Sequence, residues 1–500
     1  MTDIVRRPLK FSYLELCLAI LIITTIIRLI GLRYSVVDLF IDESQYWVWS
    51  RELALGYFSK PPLLAWVIAG ADATCGSGES CVRALSPIFY FGTALLGYAI
   101  ARELYDEQTA FWSALAIVLA PAVAFSSRIV STDVPLLFFW TLALLAYVKL
   151  LRGGGVGWAV ALGVAFGLGL AAKYAMIYFL LGVTIIVAAD ADARQGLRRK
   201  EPWVALAIGA LLIAPNLIWN ALHQFDTVRH TVGLVQIGSL GFNPGAGLEF
   251  IGAQFGVLGP IIFGGLLVLL FRWHSPTLRR EDRWMLAFAI PPLALITALA
   301  FMNRAYANWA APAFISAAIV VSAVLVRKQQ WSWIKANIAI GVAVQALLLV
   351  ADASADKITV SVLGRAEDPY RRSMGWSSFA NDVRRIARQT GADAIVGESR
   401  YEVASLIYYM RDLKPRVLVW PKGNDAENYF ERTIPLTAAE GGIMLLVTGC
   451  PSQPRLEKFY RTVALVGSFD SPSGPTTFRR YFAFKLSGSR GVIEPLGDCR

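Results

Sequence analysis

Apolar stretches of roughly 20 residues, each long enough to cross a ~30 Å hydrocarbon core as a helix, recur along most of the chain and give way to an ordinary polar pattern only near its end. Windows starting near residues 13, 83, 108, 134, 156, 174, 203, 250, 284, 307 and 336 predict about eleven membrane spans. The loops between them alternate in charge. Arg6, Arg7 and Lys10, then Lys149 and Arg152, then the basic residues of 194–200, 272–283 and 327–335 all fall on one side, which the positive-inside rule makes cytoplasmic. The other side receives the segment 34–82, the turns at 128–133 and 302–307, the loop 221–249 and everything after residue 352. No small-residue cleavage site follows the first apolar run, and Arg28 interrupts it near its end. That run is therefore expected to stay as a span and not to act as a secretory leader.

Past Val350 the period changes. Segments 393–397, 416–420, 443–448 and 464–468 read as short buried strands, and 377–389 and 401–411 as helices. The expected architecture is an all-α polytopic membrane domain over 1–351, with amphipathic helices on its outer face, followed by a small periplasmic α/β domain over 352–500. That second domain has no GxGxxG, no Walker sequence and no metal-spaced Cys/His cluster, so no nucleotide site is expected in it.

Composition agrees with the pattern. A chain of 500 residues that is 56% hydrophobic and only 17% charged, with mean hydropathy +0.52, is too apolar for a soluble protein. Its net charge of +11 is spread over short inter-span loops and forms no single arm or patch, which argues against a nucleic-acid partner. Of the five cysteines, Cys75 and Cys81 lie in the first outer segment, Cys450 and Cys499 in the outer domain, and Cys17 in the first span. Two disulfides within those pairs are expected if that side is oxidising, the alternative being ordinary small buried residues.

Candidate chemistry gathers on the outer side. Asp42 and Glu43 follow the first span by one short loop, where they read either as caps for the amphipathic stretch 44–55 or as a carboxylate that takes a proton from an acceptor hydroxyl. Tyr46 belongs to the same aromatic cluster, in which Trp47 and Trp49 read as anchors at headgroup depth. Lys60 precedes Pro61 and Pro62, whose rings stiffen its placement; it reads as a snorkelling lysine or as an ammonium for a lipid phosphate. Arg128 and Asp133 flank the next outer turn, Asp133 in a sequence that also suits a helix cap. Lys173 and Tyr174 stand at an outer junction, where a charge escapes most of the cost of mid-membrane burial. Asn220 and His223 share an outer segment with Arg229 and His230, which are better explained as loop polar residues than as a metal site. Arg304, Tyr306, Asn308 and Trp309 form the last outer polar group.

The order of these segments carries a resemblance. DES and YW in the first outer loop, YFSKPP, TDVPLL, AAKYA, NLIWNALH and RAYANWAAPA together resemble the bacterial branch of the dolichyl-phosphate-mannose protein mannosyltransferase and aminoarabinose transferase superfamily, from about residue 10 to 350, with a weaker echo in ESRYEVASLIYYM. These are glycosyltransferases of the GT-C fold that use polyprenyl-phosphate sugars. The resemblance implies that Asp42 is the catalytic base with Glu43 as its neighbour, and that Lys60 contacts the carrier phosphate. Tyr46, Arg128, Asp133, Lys173, Tyr174, Asn220, His223, Arg304 and Asn308 would bind substrate.

The reaction so implied is an inverting single displacement at the anomeric carbon. It needs no metal or other cofactor, because the leaving group is a lipid phosphate and side chains can supply the cations. Partners would be a polyprenyl-phosphate-linked sugar, a lipid, glycan or protein acceptor, and the lipids of a bacterial inner membrane. Where aminoarabinose transferases carry an acid beside this lysine the chain has Ser59, so specificity for that cationic sugar does not carry over. Lys60, Arg83, Arg128, Lys173, Arg229 and Arg304 suit an anionic sugar such as a uronic acid instead, or serve phosphates alone. Two competing classes are a lipid transporter or flippase, which would favour internal repeats and mid-span ionisable clusters, and a non-catalytic glycan-assembly protein, which would need the acidic loop only for structure.

Overall fold

The computed structural model describes residues 11–235, 241–273, 275–362, 365–423, 425–496 and 499; the basic residues Arg6, Arg7 and Lys10 lie outside them. By contact the chain divides into two compact units. A helical unit comprises Met1–Arg33, Lys60–Leu64 and Arg83–Leu349, and a mixed unit comprises Tyr34–Ser59, Ala65–Val82 and Val350–Arg500.

In the helical unit the eleven apolar windows all fall on helices, but not on eleven equal ones. Six described helices have the length and apolarity to cross a membrane: Tyr13–Tyr34, Glu79–Leu104, Asp133–Leu151, Glu201–Leu222, Arg280–Met302 and Trp331–Ala353. The other windows fold into shorter or broken pieces, and the breaks have local causes. The window near 250 becomes Pro244–Leu258 and Pro260–Phe271, because Gly259 between them takes φ +85°, a conformation that suits glycine, and Pro260 cannot continue the preceding hydrogen-bond ladder. Pro121 likewise starts a new short helix after Glu107–Val118.

Small residues let the helices approach. A Cβ on Gly163 would lie 2.6 Å from the Ala205 carbonyl oxygen, and one on Gly167 would lie 2.7 Å from Leu212 Cβ, so Val156–Ala172 and Glu201–Leu222 pack along a seam that only glycine permits. Arg28 is buried rather than placed at a boundary. Its Nε donates to Gln345 Oε1 at 2.8 Å and its Nη2 to the Val118 carbonyl at 2.6 Å, which offsets the cost of a charge among apolar helices. Several basic residues of the loops assigned to one side are also held by acids. Lys149 pairs with Glu103, Arg280 with Asp190 and Asp192, and Arg327 with Asp282 at 2.6 Å.

The mixed unit carries a hairpin of β1 (Val360–Val362) and β2 (Arg365–Glu367) and a five-stranded sheet. The sheet's strands are β3 (Ala394–Gly397), β4 (Val417–Val419), β5 (Met444–Thr448), β6 (Tyr460–Pro472) and β7 (Phe478–Ser489), ordered β4-β3-β5-β7-β6. The first three run parallel, and β7 pairs antiparallel with both β5 and β6. Both faces are covered, which is why β3, β4 and β5 read as unbroken apolar runs. Ile395, Val417, Val419, Leu445 and Val447 pack on one side with Phe379 and Val383 of the helix Trp376–Thr390, whereas Val396, Leu418 and Leu446 pack on the other with Trp420 and Phe459. Ile41, the first residue of the helix Ile41–Arg51, is buried in the first of these cores, so this helix and the C-terminal sheet share one hydrophobic interior. Cys75 is bonded to Cys81 and Cys450 to Cys499, with Cα separations of 5.8 and 5.5 Å, while Cys17 is free and buried.

Candidate active site

The two adjacent acids that follow the first long helix have different surroundings. Both sit in the first turn of Ile41–Arg51. Glu43 is buried, and its Oε2 accepts from the Phe40 backbone N–H at 2.8 Å, satisfying one of the donors that a helix start leaves over. Glu43 therefore takes the capping role considered for both. Asp42 does not: its carboxylate is 40% exposed, and Oδ1 accepts from Arg400 Nη1 at 2.9 Å. The same nitrogen donates to Gln45 Oε1 at 3.1 Å, and Gln45 is buried one turn after Asp42. No hydrogen bond to Asp42 Oδ2 is present among the described residues.

Arg400 opens the helix Arg400–Tyr409, behind a cap in which Ser399 and Glu402 bond each other's backbone. Burial works against its charge, and the Asp42 carboxylate, with the Tyr401 and Tyr46 rings, more than offsets this and raises its pKa. A fixed cation thus stands beside the candidate base.

The aromatic cluster is a core, not a membrane anchor. Trp49 is 1% exposed; its ring stacks on Tyr57 at 4.7 Å and meets Tyr429 edge-on at 5.7 Å. Trp47 packs edge-on against Tyr408 at 5.1 Å and its indole N–H donates to Asp72 at 3.3 Å. Both tryptophans were expected to act as anchors at headgroup depth; instead of presenting an exposed face, each is buried against ring partners inside the mixed unit. Tyr46 is buried against Trp49 at 5.3 Å.

In the helical unit three predicted residues meet. Asp133, the first residue of Asp133–Leu151, accepts from Lys173 Nζ at 2.7 Å through Oδ1 and from Asn308 Nδ2 at 2.8 Å through Oδ2. A second group adjoins it in sequence. The Tyr174 hydroxyl donates to Asn216 Oδ1 at 2.7 Å and accepts from Asn220 Nδ2 at 3.0 Å. Asn216 was not singled out in the sequence, although it lies one helical turn before Asn220.

The remaining candidates have their own surroundings. Arg128 is buried with Nη1 on the Leu348 carbonyl at 3.0 Å and its guanidinium over Phe125. His223 ends Glu201–Leu222, stacked on Trp219 at 4.0 Å, and is exposed, as is Arg304. Lys60 is half-buried, directly ahead of Pro61, Pro62 and the helix Leu63–Cys75. Among the described residues no three His, Cys, Asp or Glu side chains form a group able to hold a metal. A cavity of about 590 Å³ lies toward the far ends of the helices that begin at Asp133 or end before Lys173; it is lined by such residues as Leu150, Leu162, Val187 and Trp203 and contains none of the predicted site residues.

Comparison with known proteins bears on what this arrangement does. A family model described as dolichyl-phosphate-mannose-protein mannosyltransferase matches residues 59–219. The lipid A galacturonosyltransferase RgtD of Rhizobium johnstonii is 34% identical over 426 residues, 85% of this chain and 89% of that protein. An undecaprenyl phosphate-alpha-4-amino-4-deoxy-L-arabinose arabinosyl transferase of Pseudomonas aeruginosa is 31% identical over 140 residues, 27% of this chain and 25% of its own length. Among solved structures, apo ArnT of Cupriavidus metallidurans has the same fold, with a TM-score of 0.68 at 15% identity over 95% of this chain and 97% of that one.

Proposed function

The chain belongs to the superfamily of GT-C glycosyltransferases that includes the dolichyl-phosphate-mannose protein mannosyltransferases, and from that premise we propose that it transfers a uronic-acid sugar from undecaprenyl phosphate to a hydroxyl of lipid A. The match along most of its length to a lipid A galacturonosyltransferase carries this reading. The undecaprenyl carrier is taken from the aminoarabinose relative. The absence of an acid at Ser59 accords with an anionic sugar in place of a cationic one.

In the proposed reaction Asp42 takes the proton from the acceptor hydroxyl through its open oxygen as that hydroxyl attacks the anomeric carbon. The bond from that carbon to the phosphate oxygen breaks, undecaprenyl phosphate departs, and the configuration inverts in one step. Lys60 is assigned the carrier phosphate, where an ammonium stabilises the charge that grows on departure. The step runs without a metal, since the leaving group is a phosphate monoester and side-chain cations serve it. Within the helical unit the Asp133, Lys173 and Asn308 group and the Tyr174 and Asn220 group hold substrate-binding polar atoms in place, and exposed Arg304 and His223 complete the polar set. The alternation of basic loops supports an amino terminus in the cytoplasm, with segment 34–82 and the residues after 352 in the periplasm.

Purified protein supplied with undecaprenyl-phosphate galacturonic acid and lipid A should yield lipid A heavier by one uronosyl residue, at a rate unchanged by a chelator. Lipid A recovered unmodified from wild-type protein that binds the donor would refute the reading.

A further inference from the structure

Arg400 leaves one edge of its guanidinium open beside Asp42. An arginine carries five N–H donors in a planar fork, and here only Nη1 is engaged, by Asp42 Oδ1 at 2.9 Å and Gln45 Oε1 at 3.1 Å. Among the described residues nothing hydrogen-bonds Nε or Nη2. The side chain is 32% exposed and lies 5.3 Å from the Tyr401 ring, which leaves that edge reachable.

The same chain shows what such an edge takes. Arg280 uses Nε and Nη2 to hold both oxygens of Asp190 at 2.6 Å each, and Arg480 uses the same two nitrogens on both oxygens of Asp470 at 2.8 Å each. Two parallel N–H groups match a carboxylate in geometry as well as in charge.

Resting on the function proposed above, we infer that Arg400 is the specificity residue that holds the carboxylate of the donor sugar through Nε and Nη2. The sugar must come to Asp42 for its anomeric carbon to be attacked, so a cation bonded to Asp42 faces the sugar. A uronic acid also brings a second negative charge next to Asp42, and unscreened like charges at that distance repel. Arg400 lies between the two and answers both, one edge for each. A neutral sugar would leave the second edge unpaired, and a site built around a buried polar partner rejects the analogue that lacks it.

The test compares undecaprenyl-phosphate galacturonic acid with undecaprenyl-phosphate galactose, which shares carrier and phosphate and lacks only the carboxylate, in wild type, Arg400→Gln and Arg400→Lys. Lysine keeps the charge and its hold on Asp42 but cannot present the fork, so it isolates the second edge. For the uronosyl donor, kcat/KM is expected to fall ~10²-fold or more in Arg400→Gln and by at least ~10-fold in Arg400→Lys, with the galactosyl donor changed no more than a few-fold in Arg400→Lys. Equal losses for both donors in both variants would overturn the assignment, because they mark a phosphate contact or a support for Asp42 alone. Unchanged discrimination would overturn it too. Binding is measured alongside, by displacement of labelled undecaprenyl-phosphate galacturonic acid from each protein. Loss of the carboxylate-dependent part of binding in both variants supports the assignment even where wild type transfers neither sugar, a result that would count against the proposed function instead.

Discussion

Two aspartates, each in the first turn of a helix and each paired with a cation, differ in what remains open. Asp133 in the helical unit has both oxygens taken, by Lys173 at 2.7 Å and Asn308 at 2.8 Å, and its side chain is only 11% exposed. Asp42 in the mixed unit gives one oxygen to Arg400 and is 40% exposed. A carboxylate with both oxygens held by side-chain donors fixes its neighbours, whereas one with an oxygen free of such bonds is better placed to accept a proton. The open oxygen of Asp42 supports the role proposed for it, and Asp133 is the internal control.

The largest expected effect follows from that contrast. Asp42→Asn keeps the shape and loses the basicity, so steady-state transfer should fall by ~10²- to 10⁴-fold, while Asp133→Asn should keep turnover within about 10-fold. The stabilities should reverse: Asp133→Asn leaves the largely buried Lys173 without its carboxylate at a cost of ~1–3 kcal/mol, read as a lower melting midpoint than that of Asp42→Asn. Equal kinetic losses in the two variants would erase the distinction.

Lys60→Ala sharpens the comparison from the donor side. It should raise KM for the donor and lower kcat together, each by about 10-fold, because the ammonium meets the phosphate before and during departure. A change in the acceptor's KM alone would remove Lys60 from the donor phosphate.

The smallest effect concerns pH. Asp368 in the mixed unit is buried, which pushes its carboxyl up, but hydrogen bonds from Thr477 at 2.8 Å, the Thr476 backbone at 2.9 Å and Thr359 at 3.0 Å outweigh this and hold its pKa at about 2. A depressed folded-state pKa gives stability that is present above the unfolded value, near 4, and is lost as pH falls toward 2. The melting midpoint of the mixed unit should decline over that window, and Asp368→Asn should flatten the decline. An unaltered acid limb would place the loss at other carboxylates.

Much of this fold was legible because its signals are local. Every apolar window fell on helix, and strands β3, β4 and β5 announced themselves as buried runs. The lengths of the individual helices were not, since hydropathy does not register where Gly259 and Pro260, or Pro121, break a window into short helices. Strand β7 was missed because it interleaves Arg479, Arg480 and Lys485 with its apolar residues, and β6, largely exposed along its length, extended beyond the short run expected. Asp133, Lys173 and Asn308 were each singled out in the sequence, but that they bond one another was not legible, because the partners lie 40 and 175 residues from Asp133. Arg400 stands 358 residues from Asp42; its only trace was the echo of the family in ESRYEVASLIYYM. Trp47 and Trp49 were misjudged for the same reason, their ring partners Tyr408 and Tyr429 being remote in the chain.

The most direct test of the central claim follows the fate of bound donor in a single turnover. Asp42→Asn protein loaded with radiolabelled undecaprenyl-phosphate galacturonic acid is mixed with excess lipid A, and bound donor and labelled product are counted in the same sample. Donor that stays bound and intact over many wild-type turnover times is the predicted result; label appearing on lipid A within a few-fold of the wild-type rate would contradict Asp42 as the base.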